Sequence, residues 1–410
     1  MNTETSPQPA PDGGPLRGVR VLELGNFIAA PMAGRILAEF GAEVVKVERP
    51  RTGDELRRWR LHGGDTSLLW RVMSRNKKSV TLDLRADQGR RIATELVRRS
   101  DVVLENFRPG TLERWGLGPE WMRELNPGVV VVRISGYGQS GPYRDHPGFG
   151  GVAEGIGGLR HLTGYPDLPP TRVGVSLADS VAGLYAVVGA LMGLVRRQRT
   201  RSGEVVDVAL YEAIYSLTES LVPDFDAFGV VRGPSGSALP GIVPSNTYRT
   251  ADGKYVVVSG NSDTIFQRLM RLVGREDLAA DPRLADNAGR SAHTEEIDAA
   301  IGQWAGALGL DGALAGLRSA DVPAGPIYTA EDIVKDPHFW ARGMHERHPV
   351  RIDGAQETEV IFPGVVPKLA DDPGRTRWLG PELGAHTDEV LEGIGIGADA
   401  RAELSEQGVI

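Results

Sequence analysis

The chain has 410 residues, of which 41% are hydrophobic and 24% charged, with a formal net charge of −8 and no cysteine. At roughly 150 residues per domain, this length predicts two or three lobes of an ordinary globular protein. The absence of cysteine excludes disulfides, thiolate catalysis and cysteine-ligated metal. The acidic balance argues against nucleic acid as a partner.

Two segments bear on where the protein is located. Residues 1–17 contain no apolar run with a basic flank, so we predict a disordered tail, no secretory signal and a cytoplasmic protein. The longest apolar segment, Val181–Val195, is interrupted by glycines and is shorter than the ~18 residues that span a bilayer. It predicts a buried helix and no membrane partner.

Strand and helix patterns alternate from Gly18 to Gly138, and we assign residues 18–225 to one large domain. Repeated βαβ units imply right-handed crossovers and a mainly parallel sheet covered on both faces. The predicted fold class is therefore α/β. The predicted strands are Val19–Leu24, Glu43–Glu48, Val80–Leu84, Asp101–Phe107, Val129–Ser135 and Val205–Leu210, and the predicted helices are Pro31–Phe40, Ala86–Ser100, Glu120–Leu125, Asp179–Arg199 and Tyr211–Leu221.

Two glycine-rich segments interrupt this pattern. Gly136–Gly174 is long for a structureless connection, which predicts a functional loop, and Gly229–Pro244 marks a boundary or a mobile loop. Thr247–Ser259 has the pattern of a β-hairpin. We assign residues 226–343 to a smaller α+β domain and expect residues 344–410 to return to the large domain.

The loop after the first predicted strand, Gly25–Pro31, lies where α/β sheets bind ligands, beyond the carboxyl end of a strand. Glu48, which ends the second strand, resembles the acid that holds the ribose of a dinucleotide. The loop lacks the G-x-G-x-x-G pattern that lets a backbone approach a pyrophosphate, so a dinucleotide site is disfavoured against an ordinary turn.

Two further stretches are candidates for ligand binding. A series of basic residues between Arg49 and Lys78 could receive phosphate groups or form a solvated face. Asn106 and Phe107 follow directly on a strand, where they suit a nucleotide base or form a tight turn with Phe107 buried. The basic residues are Arg49, Arg51, Arg57, Arg58, Arg60, Arg71, Arg75, Lys77 and Lys78.

Asp179 has two possible roles that the local sequence does not separate. Ser176-x-x-Asp179 matches a capping box at the start of a helix. A carboxylate at that position also stays ionised, and an ionised aspartate needs no base to act as a nucleophile. Capping and nucleophilic catalysis are compatible.

The eight histidines show no metal-ligand spacing. The nearest pair, His345 and His348, lies beside Pro349 in a segment without helical periodicity. We therefore predict no metal site. There is also no Gly-x-Ser-x-Gly elbow and no Gly-Lys-Ser/Thr phosphate loop.

A series of motifs resembles the class III CoA-transferase family, which includes formyl-CoA:oxalate CoA-transferase, carnitine CoA-transferase and, more distantly, α-methylacyl-CoA racemase. Each motif is weak alone, but their order and spacing through most of the chain make the resemblance specific. The motifs are GVRVLEL from Gly18, GAEVVKVE from Gly41, NKKSVTLDL from Asn76, VLENFRPG from Val103, LNPGVV from Leu125, SGYGQSGP from Ser135, the block around Asp179, DVPAGPIY from Asp321 and DPHF from Asp336.

The resemblance implies an intertwined homodimer of interlocked, ring-like subunits, each with a large Rossmann-like domain and a smaller α+β domain. It implies acyl-CoA and a small carboxylic acid as substrates, no tightly bound cofactor, and Asp179 as the catalytic residue. By position it also implies contacts with CoA from Asn26, Phe27, Ile28, Ala29, Arg49, Leu82, Asp83, Arg85, Asn106, Phe107, Arg114, Pro147 and Phe149.

Two departures from the family pattern narrow the substrates. Members that resemble formyl-CoA transferase have glutamine where Ile28 stands and a Tyr-Glu pair where Phe149 and Gly150 stand, which argues against formyl and oxalate as substrates. Their glycine-rich lid corresponds loosely to residues 233–241. The predicted lid residues are Gly233, Gly236 and Gly241.

Residue 149 also separates a transferase from a racemase. A racemase needs two acid/base groups at the substrate α-carbon, and the resemblance places the second at Phe149, which cannot carry a proton. We predict a CoA-transferase (EC 2.8.3.-) of acyl-CoA metabolism, working through an aspartyl anhydride and an aspartyl-CoA thioester on Asp179. The alternatives are a 2-methylacyl-CoA racemase, for which His146 and His161 lie nearby in sequence, and a non-catalytic acyl-CoA-binding protein.

The acyl group is a separate question. Arg160, Arg172 and Arg232 could bind a distal carboxylate. Such contacts would suit succinyl-CoA with a dicarboxylic acceptor.

Overall fold

The computed structural model describes residues 13–352 and 356–410. Most of the predicted N-terminal tail, residues 1–12, lies outside the described residues. The residues that follow form a turn, in which the backbone N–H of Leu16 donates to the carbonyl of Phe40 at 3.0 Å. This bond attaches the turn to the chain just after the first helix.

The chain divides into two compact units. The first contains the residues up to Leu159 together with Val173–Val222 and Trp340–Ile410, and the second contains Arg160–Arg172 and Pro223–Phe339. The divisions after Val222 and Phe339 lie close to the boundaries that the sequence places after residues 225 and 343.

Strands and helices alternate through the chain up to Ser135, as the sequence predicts. A 3-10 turn at Glu55–Arg58 interrupts this alternation. The elements are β1 (Arg20–Glu23), α1 (Ala29–Glu39), β2 (Glu43–Glu48), β3 (His62–Gly63), β4 (Thr66–Ser67), α2 (Leu68–Met73), β5 (Lys77–Thr81), α3 (Asp87–Arg98), β6 (Val102–Glu105), α4 (Thr111–Arg114), α5 (Pro119–Leu125) and β7 (Val130–Ser135).

Helices predominate after Ser135, and two short ones form inside the segment that the sequence predicts as a loop. A second 3-10 turn lies at Pro282–Leu284. The elements are α6 (Gly150–Ile156), α7 (Leu159–Leu162), α8 (Leu177–Thr200), β8 (Val205–Ala209), α9 (Leu210–Tyr215), α10 (Leu221–Phe228), β9 (Ser245–Arg249), β10 (Tyr255–Ser259), α11 (Asp263–Leu272), α12 (Glu276–Ala279), α13 (Asn287–Ala292), α14 (Thr294–Gly306), α15 (Leu310–Ser319), β11 (Ala324–Pro326), α16 (Ala330–Lys335), α17 (Pro337–Ala341), β12 (His345–Arg351), β13 (Glu357–Pro363), α18 (Thr387–Gly393) and α19 (Ala398–Glu406).

A six-stranded sheet forms the centre of the first unit, in the order β5-β2-β1-β6-β7-β8. Every neighbouring pair in it is parallel. Strands such as β7, which is valine-rich and buried along its whole length, are typical of a sheet covered on both faces. The α/β prediction is confirmed.

One strand of this sheet differs from the prediction in its position. β5 spans Lys77–Thr81 rather than Val80–Leu84, and Lys77 is completely buried. Its ammonium group lies 2.8 Å from the Glu23 carboxylate, which compensates the buried charge. A hydrophobic pattern does not identify a lysine that is buried as part of an ion pair. The predicted strand therefore begins at Val80, whereas the observed strand begins at Lys77.

Apolar layers cover both faces of the sheet. Helices α1 and α8 pack on one face, and α3 and α5 pack on the other together with residues from the C-terminal segment, including Val409. The backbone N–H of Asp83, just beyond β5, donates to the carbonyl of Val409 at 2.8 Å. The C-terminal segment thus joins the first unit beside β5.

Helix α8 differs from the fully buried helix that the sequence predicts. Its small residues, such as Ala182 and Gly183, are buried against α1, whereas the opposite face exposes apolar side chains. Among the described residues it is the one helix long and apolar enough to cross a membrane by length and composition alone, a criterion that core helices also meet. The exposed residues are Leu184, Tyr185, Val188, Leu191, Met192 and Val195.

The second unit has its own apolar core beside a three-stranded antiparallel sheet, in the order β11-β10-β9. Helices α11, α14 and α15 contribute apolar residues to this core. β9 and β10 form the hairpin that the sequence predicts, with Gly253 at its turn in the left-handed region, φ 78°. The hairpin prediction is confirmed.

Candidate active site

A cavity of about 360 Å³ opens at the carboxyl ends of strands in the large sheet. Its walls come from the segments that follow β1, β2, β5 and β6, which is where open α/β sheets bind ligands. The lining residues are Leu24, Asn26, Phe27, Val47, Glu48, Arg49, Glu55, Leu82, Asp83, Leu84, Arg85, Phe107 and Trp115.

Much of the predicted CoA-contact set meets in this cavity. Ile28 and Ala29 are instead buried, because α1 begins there and turns both side chains into apolar layers. The sequence reasoning missed Trp115, whose ring packs edge-on against Phe107 with centroids 5.3 Å apart. Trp115 directly follows the short helix α4, in the same loop as Phe107. That position is the signal that could have revealed Trp115. The predicted residues in the lining are Asn26, Phe27, Arg49, Leu82, Asp83, Arg85 and Phe107.

Asn106 joins two loops of the cavity through its side-chain amide. Its Oδ1 accepts from the backbone N–H of Asn26 at 2.8 Å, and its Nδ2 donates to the Asn26 carbonyl at 2.7 Å. The amide therefore fixes the loop after β1 to the loop after β6. Asn106 supports Phe27 and Phe107, which follow these bonded residues and line the cavity.

A buried carboxylate supports the second of these loops. Glu105 accepts from Nε of Arg133 at 2.7 Å through one oxygen and from the backbone N–H of Phe107 at 2.8 Å through the other. Burial raises the pKa of Glu105 to about 7, and Arg133 opposes that rise. The backbone bond fixes the turn that presents Phe107 to the cavity.

Four further predicted contact residues lie outside the lining: Asn106, Arg114, Pro147 and Phe149. Arg114 is on the exposed side of α4, where it donates to the Thr111 hydroxyl at 3.0 Å. Pro147 is exposed on the loop that leads to Phe149.

The basic stretch does not form one phosphate-binding surface. Several of its cations turn into the interior, where each is paired because an unpaired buried charge is costly. Arg49 and Arg58 stay at the surface, and both contact Glu55. Arg49 also lines the cavity. Of the basic residues in this stretch, Arg49 therefore remains the candidate for contact with a phosphate group. The buried pairs are Arg57 with Glu48, Arg75 with Glu39, and Lys77 with Glu23.

Glu48 is not placed to hold a ribose. Its carboxylate accepts from Nε of Arg57 at 2.7 Å, from the Ser79 hydroxyl at 2.6 Å and from the backbone N–H of Asp54 at 3.0 Å. The side chain is buried, so these interior donors take up its oxygens. A dinucleotide site in which Glu48 holds the ribose is therefore wrong.

Asp179 lies half-buried in the first turn of α8. Ser176 precedes the helix, but its side chain makes no capping hydrogen bond, so the capping-box alternative is wrong. Gly150, the first residue of α6, packs directly against the Asp179 carboxylate, since a Cβ added to it would lie 2.0 Å from Oδ2. The glycine gives the carboxylate room in this position.

Aromatic rings connect the cavity with the surroundings of Asp179. Phe27 lines the cavity and packs on Trp59, with ring centroids 5.4 Å apart, and edge-on against Phe149 at 5.9 Å. Phe149 directly precedes Gly150 and is 65% exposed. A series of neighbours therefore runs from the cavity through Phe27 and Phe149 to Gly150, which packs against Asp179.

The glycine-rich loop after β7 folds back on itself to bring Phe149 beside α8. Gly136 and Gly148 approach closely, since a Cβ on Gly136 would lie 3.0 Å from Cα of Gly148. His146 on this loop stacks on Tyr143, with ring centroids 5.0 Å apart. At the position where the racemase alternative needs its histidine, the structure presents the Phe149 ring.

The predicted lid residues lie in the second unit. Gly236 and Gly241 adopt left-handed backbone conformations, with φ of 66° and 72°. The N–H of Gly236 donates to the Gly164 carbonyl at 2.8 Å, and the Gly241 carbonyl accepts from Nδ2 of Asn287 at 2.7 Å. The Ser237 hydroxyl also donates to Oδ1 of Asn246 at 2.7 Å, so several hydrogen bonds attach the segment from Gly233 to Gly241 to its own unit.

Within residues 13–352 and 356–410, no group of three or more histidine, aspartate or glutamate side chains is arranged to hold a metal ion. His345 packs against the Trp340 ring, with centroids 4.8 Å apart. His348 packs against Phe362 at 5.8 Å.

Known proteins are similar to this chain in fold and in sequence. The model of CoA-transferase family III matches residues 16–387. Succinyl-CoA–D-citramalate CoA-transferase of Chloroflexus aurantiacus is 45% identical, over 100% of this chain and 100% of that enzyme. The β subunit of succinyl-CoA–L-malate CoA-transferase from the same species is 42% identical over 93% of this chain and 94% of its own. The crystal structure of a CAIB/BAIF family protein from Brucella suis matches with a TM-score of 0.81 and 32% identity, covering 93% of this chain and 100% of that one.

The chain is an α/β protein with a cavity at the carboxyl edge of a parallel sheet. The chain belongs to CoA-transferase family III, and the resemblance seen in the sequence is confirmed. It is a CoA-transferase (EC 2.8.3.-) of acyl-CoA metabolism that acts on CoA thioesters and carboxylic acids. Both Chloroflexus relatives are named for CoA transfer rather than for racemisation or binding alone.

Replacing Gly150 with Ala is expected to rotate the Asp179 carboxylate and lower kcat with little loss of stability. The added Cβ meets the end of a flexible side chain rather than backbone, and a misplacement of about 1 Å can cost about 10²-fold in rate. Steady-state kinetics and thermal unfolding measure the two effects. Gly155→Ala, on the same helix with no atom within 4 Å of its added Cβ, is the matched control. Equal kcat for the two variants would contradict the expectation.

Proposed function

We propose that Asp179 is the nucleophile of the transfer reaction. The observation that carries this proposal is the packing of its carboxylate against Gly150, at the end of the aromatic series that begins in the cavity. The nucleotide part of CoA would occupy the cavity beside Arg49 and Phe107, and the pantetheine arm would follow Phe27 and Phe149. This arrangement brings the thioester to a carboxylate that needs no base for activation.

In the proposed reaction, the ionised Asp179 carboxylate attacks the thioester carbonyl, the C–S bond breaks, and CoA leaves as the thiolate. The thiolate then attacks the Asp179 carbonyl of the resulting anhydride, which releases the donor acid and leaves an aspartyl-CoA thioester. The acceptor carboxylate attacks this thioester and again frees the thiolate. The thiolate finally attacks the acceptor carbonyl of the second anhydride, giving the new acyl-CoA and free Asp179.

The intermediates of this scheme react with water, so the site must close during turnover. We propose the loop with Gly233, Gly236 and Gly241 as the lid. This assignment rests on the family resemblance. The left-handed conformations of Gly236 and Gly241 support a requirement for glycine at these positions.

Asp179→Asn is expected to reduce transfer to the background of the assay while the protein still binds CoA, because an amide is a poor nucleophile. Hydroxylamine added to the wild-type enzyme with acyl-CoA should convert Asp179 to a hydroxamate, which peptide mass spectrometry locates. Asp311→Asn, an exposed acid on α15, is the control. Normal transfer by Asp179→Asn, with deamidation excluded by mass, would overturn the proposal.

The wild-type enzyme incubated with acyl-CoA also distinguishes a transferase from the two alternative functions, acyl-CoA binding alone and racemisation. A protein that only binds acyl-CoA would give no hydroxamate at any residue. Entry of solvent deuterium at the α-position of a 2-methylacyl-CoA would instead support a racemase.

We further propose succinyl-CoA as the donor and a dicarboxylic acid as the acceptor. The two Chloroflexus relatives are named for succinyl-CoA with D-citramalate and L-malate, and these acids share a second carboxylate. Recognition of that group calls for a cation, most often arginine. The candidates from the sequence, Arg160, Arg172 and Arg232, belong to the second unit.

With succinyl-CoA as donor, dicarboxylic acceptors with a four-carbon main chain are expected to have a kcat/KM at least about tenfold above that of monocarboxylic acids of equal length. The reason is that a charged hydrogen bond is worth ~1.5 kcal/mol or more. Citramalate and malate, each compared with butyrate, form the test panel, with formate and oxalate as acids expected to react poorly. Chromatography with mass detection quantifies each acyl-CoA product. Equal efficiency for butyrate and malate would count against a distal carboxylate site.

We also propose that two copies of the chain form the interlocked homodimer that the resemblance implies. The support is the apolar face of α8, where Met192 is 67% exposed in the single chain. Contiguous apolar patches of this kind mark interaction surfaces, because leaving them in water is unfavourable. A second copy of the chain is the occupant we assign to this face.

Met192→Glu is expected to weaken the dimer, because the interface would then bury an unpaired carboxylate. Sedimentation velocity over a range of protein concentrations measures the dissociation. Val334→Glu, at an exposed apolar residue of α16, is the control. A Met192→Glu protein with unchanged dimerisation would refute the assignment of α8 to the interface.

A further inference from the structure

Four charged side chains form a buried ion cluster beneath the loop after β1: Glu23, Lys46, Asp54 and Lys77, each 0% exposed. The Lys46 ammonium lies 3.0 Å from Glu23 and 2.9 Å from Asp54, and the Lys77 ammonium lies 2.8 Å from Glu23. Buried ion pairs lose solvation and are weak contributors to stability, so stability alone does not account for this cluster.

The buried ion cluster also binds the backbone of the loop that enters the cavity. Nζ of Lys46 donates to the Gly25 carbonyl at 2.6 Å. Oδ1 of Asp54 accepts from the backbone N–H of Phe27 at 3.2 Å. Lys46 thus binds the Gly25 end of the segment Gly25–Phe27 from the interior side, and Asp54 binds the Phe27 end.

Phe27 needs such support because its backbone is strained. Its φ of 63° lies in the left-handed region, which residues other than glycine rarely adopt. Strain of this kind persists where the surroundings hold it in place, and it concentrates at functional sites. This conformation places the Phe27 ring against both Trp59 and Phe149 and in the wall of the cavity.

We propose that Lys46 and Asp54 are positioning residues for CoA, which hold the left-handed turn at Phe27 so that its ring forms the path from the cavity to Asp179. This inference rests on the proposed CoA site. The buried ion cluster does not touch the reacting atoms. Its effect on the reaction passes through the backbone of Gly25 and Phe27.

The charge of Lys46 suits its role in holding the loop. Burial lowers the pKa of Lys46, but Asp54, Glu23 and Glu48 outweigh it and raise the pKa above its ordinary value. Lys46 therefore stays charged and holds Asp54 at 2.9 Å from its ammonium group. Gly34, on α1, leaves room for the cluster, since a Cβ there would lie 1.9 Å from Oε2 of Glu23.

The test compares Lys46→Met, Asp54→Ala and Asp54→Asn in the full-length enzyme. Each lost hydrogen bond corresponds to roughly two- to tenfold in affinity, so the KM for acyl-CoA and the Kd for CoA should rise by about tenfold in Asp54→Ala. Asp54→Asn should show a smaller rise, because it keeps an oxygen to accept from Phe27. Hydrogen exchange should quicken at the Phe27 amide in each variant, while kcat at saturation changes less than KM.

Arg75→Met is the matched control for a merely structural effect. Arg75 is as buried as Lys46 and is paired with Glu39 at 2.5 Å, but its partners lie outside the loop. Its loss should lower the unfolding temperature and leave both the Kd for CoA and the exchange at Phe27 unchanged. If Arg75→Met raises the Kd as much as Lys46→Met does, the positioning role is overturned.

Phe107→Ala separates failure of this inference from failure of the CoA site. Phe107 lines the cavity and makes no bond to the buried ion cluster. If Phe107→Ala leaves the Kd for CoA unchanged, the proposed CoA site is wrong. If it weakens CoA binding whereas Lys46→Met and Asp54→Ala, both folded at the assay temperature, do not, the site stands and the positioning role is wrong.

Discussion

The common direction of the six strands in the large sheet is the constraint on which the rest of the structure depends. Parallel strands deliver their following loops to one edge, so Phe27, Arg49, Asp83 and Phe107 surround one cavity although they are distant in sequence. Asp179 reaches the same region by another route, from the start of a helix that follows a glycine-rich loop. The cavity is thus built on strand ends, whereas the candidate nucleophile lies at the start of a helix.

The sequence predicts the sheet well because most of its strands are short and rich in valine, and the one misplaced strand begins with a lysine that is paired in the interior. Similar reasoning explains the errors at the site. Glu48 has the sequence position of a ribose acceptor, yet the side chain of Arg57 turns inward and takes its carboxylate. Asp179 could be selected only through the family resemblance, since a helix-start acid has the same local pattern whether it caps or reacts. Phe107 belongs to a family-like motif, whereas Trp115 lies outside every such motif and meets Phe107 only through the fold of the loop that joins them.

Two substitutions relative to the family pattern give the neighbourhood of Asp179 an apolar character. Phe149 presents a ring where a racemase needs a proton carrier, and Gly150 presents bare backbone to the carboxylate. As the proposed nucleophile, an ionised Asp179 would require neither a base nor a second proton carrier. These surroundings are therefore consistent with the proposed group transfer between carboxylates.

The bond between Asp83 and Val409 has a consequence for how the protein is made. Asp83 belongs to the cavity wall, and its backbone N–H is held by a residue more than three hundred positions later in the chain. The ribosome delivers the strands of the sheet early, but this part of the wall is fixed only after residue 409 has left the exit tunnel. The sheet can therefore form before this part of the cavity wall is complete, because the wall is finished only when the C-terminal segment packs beside β5.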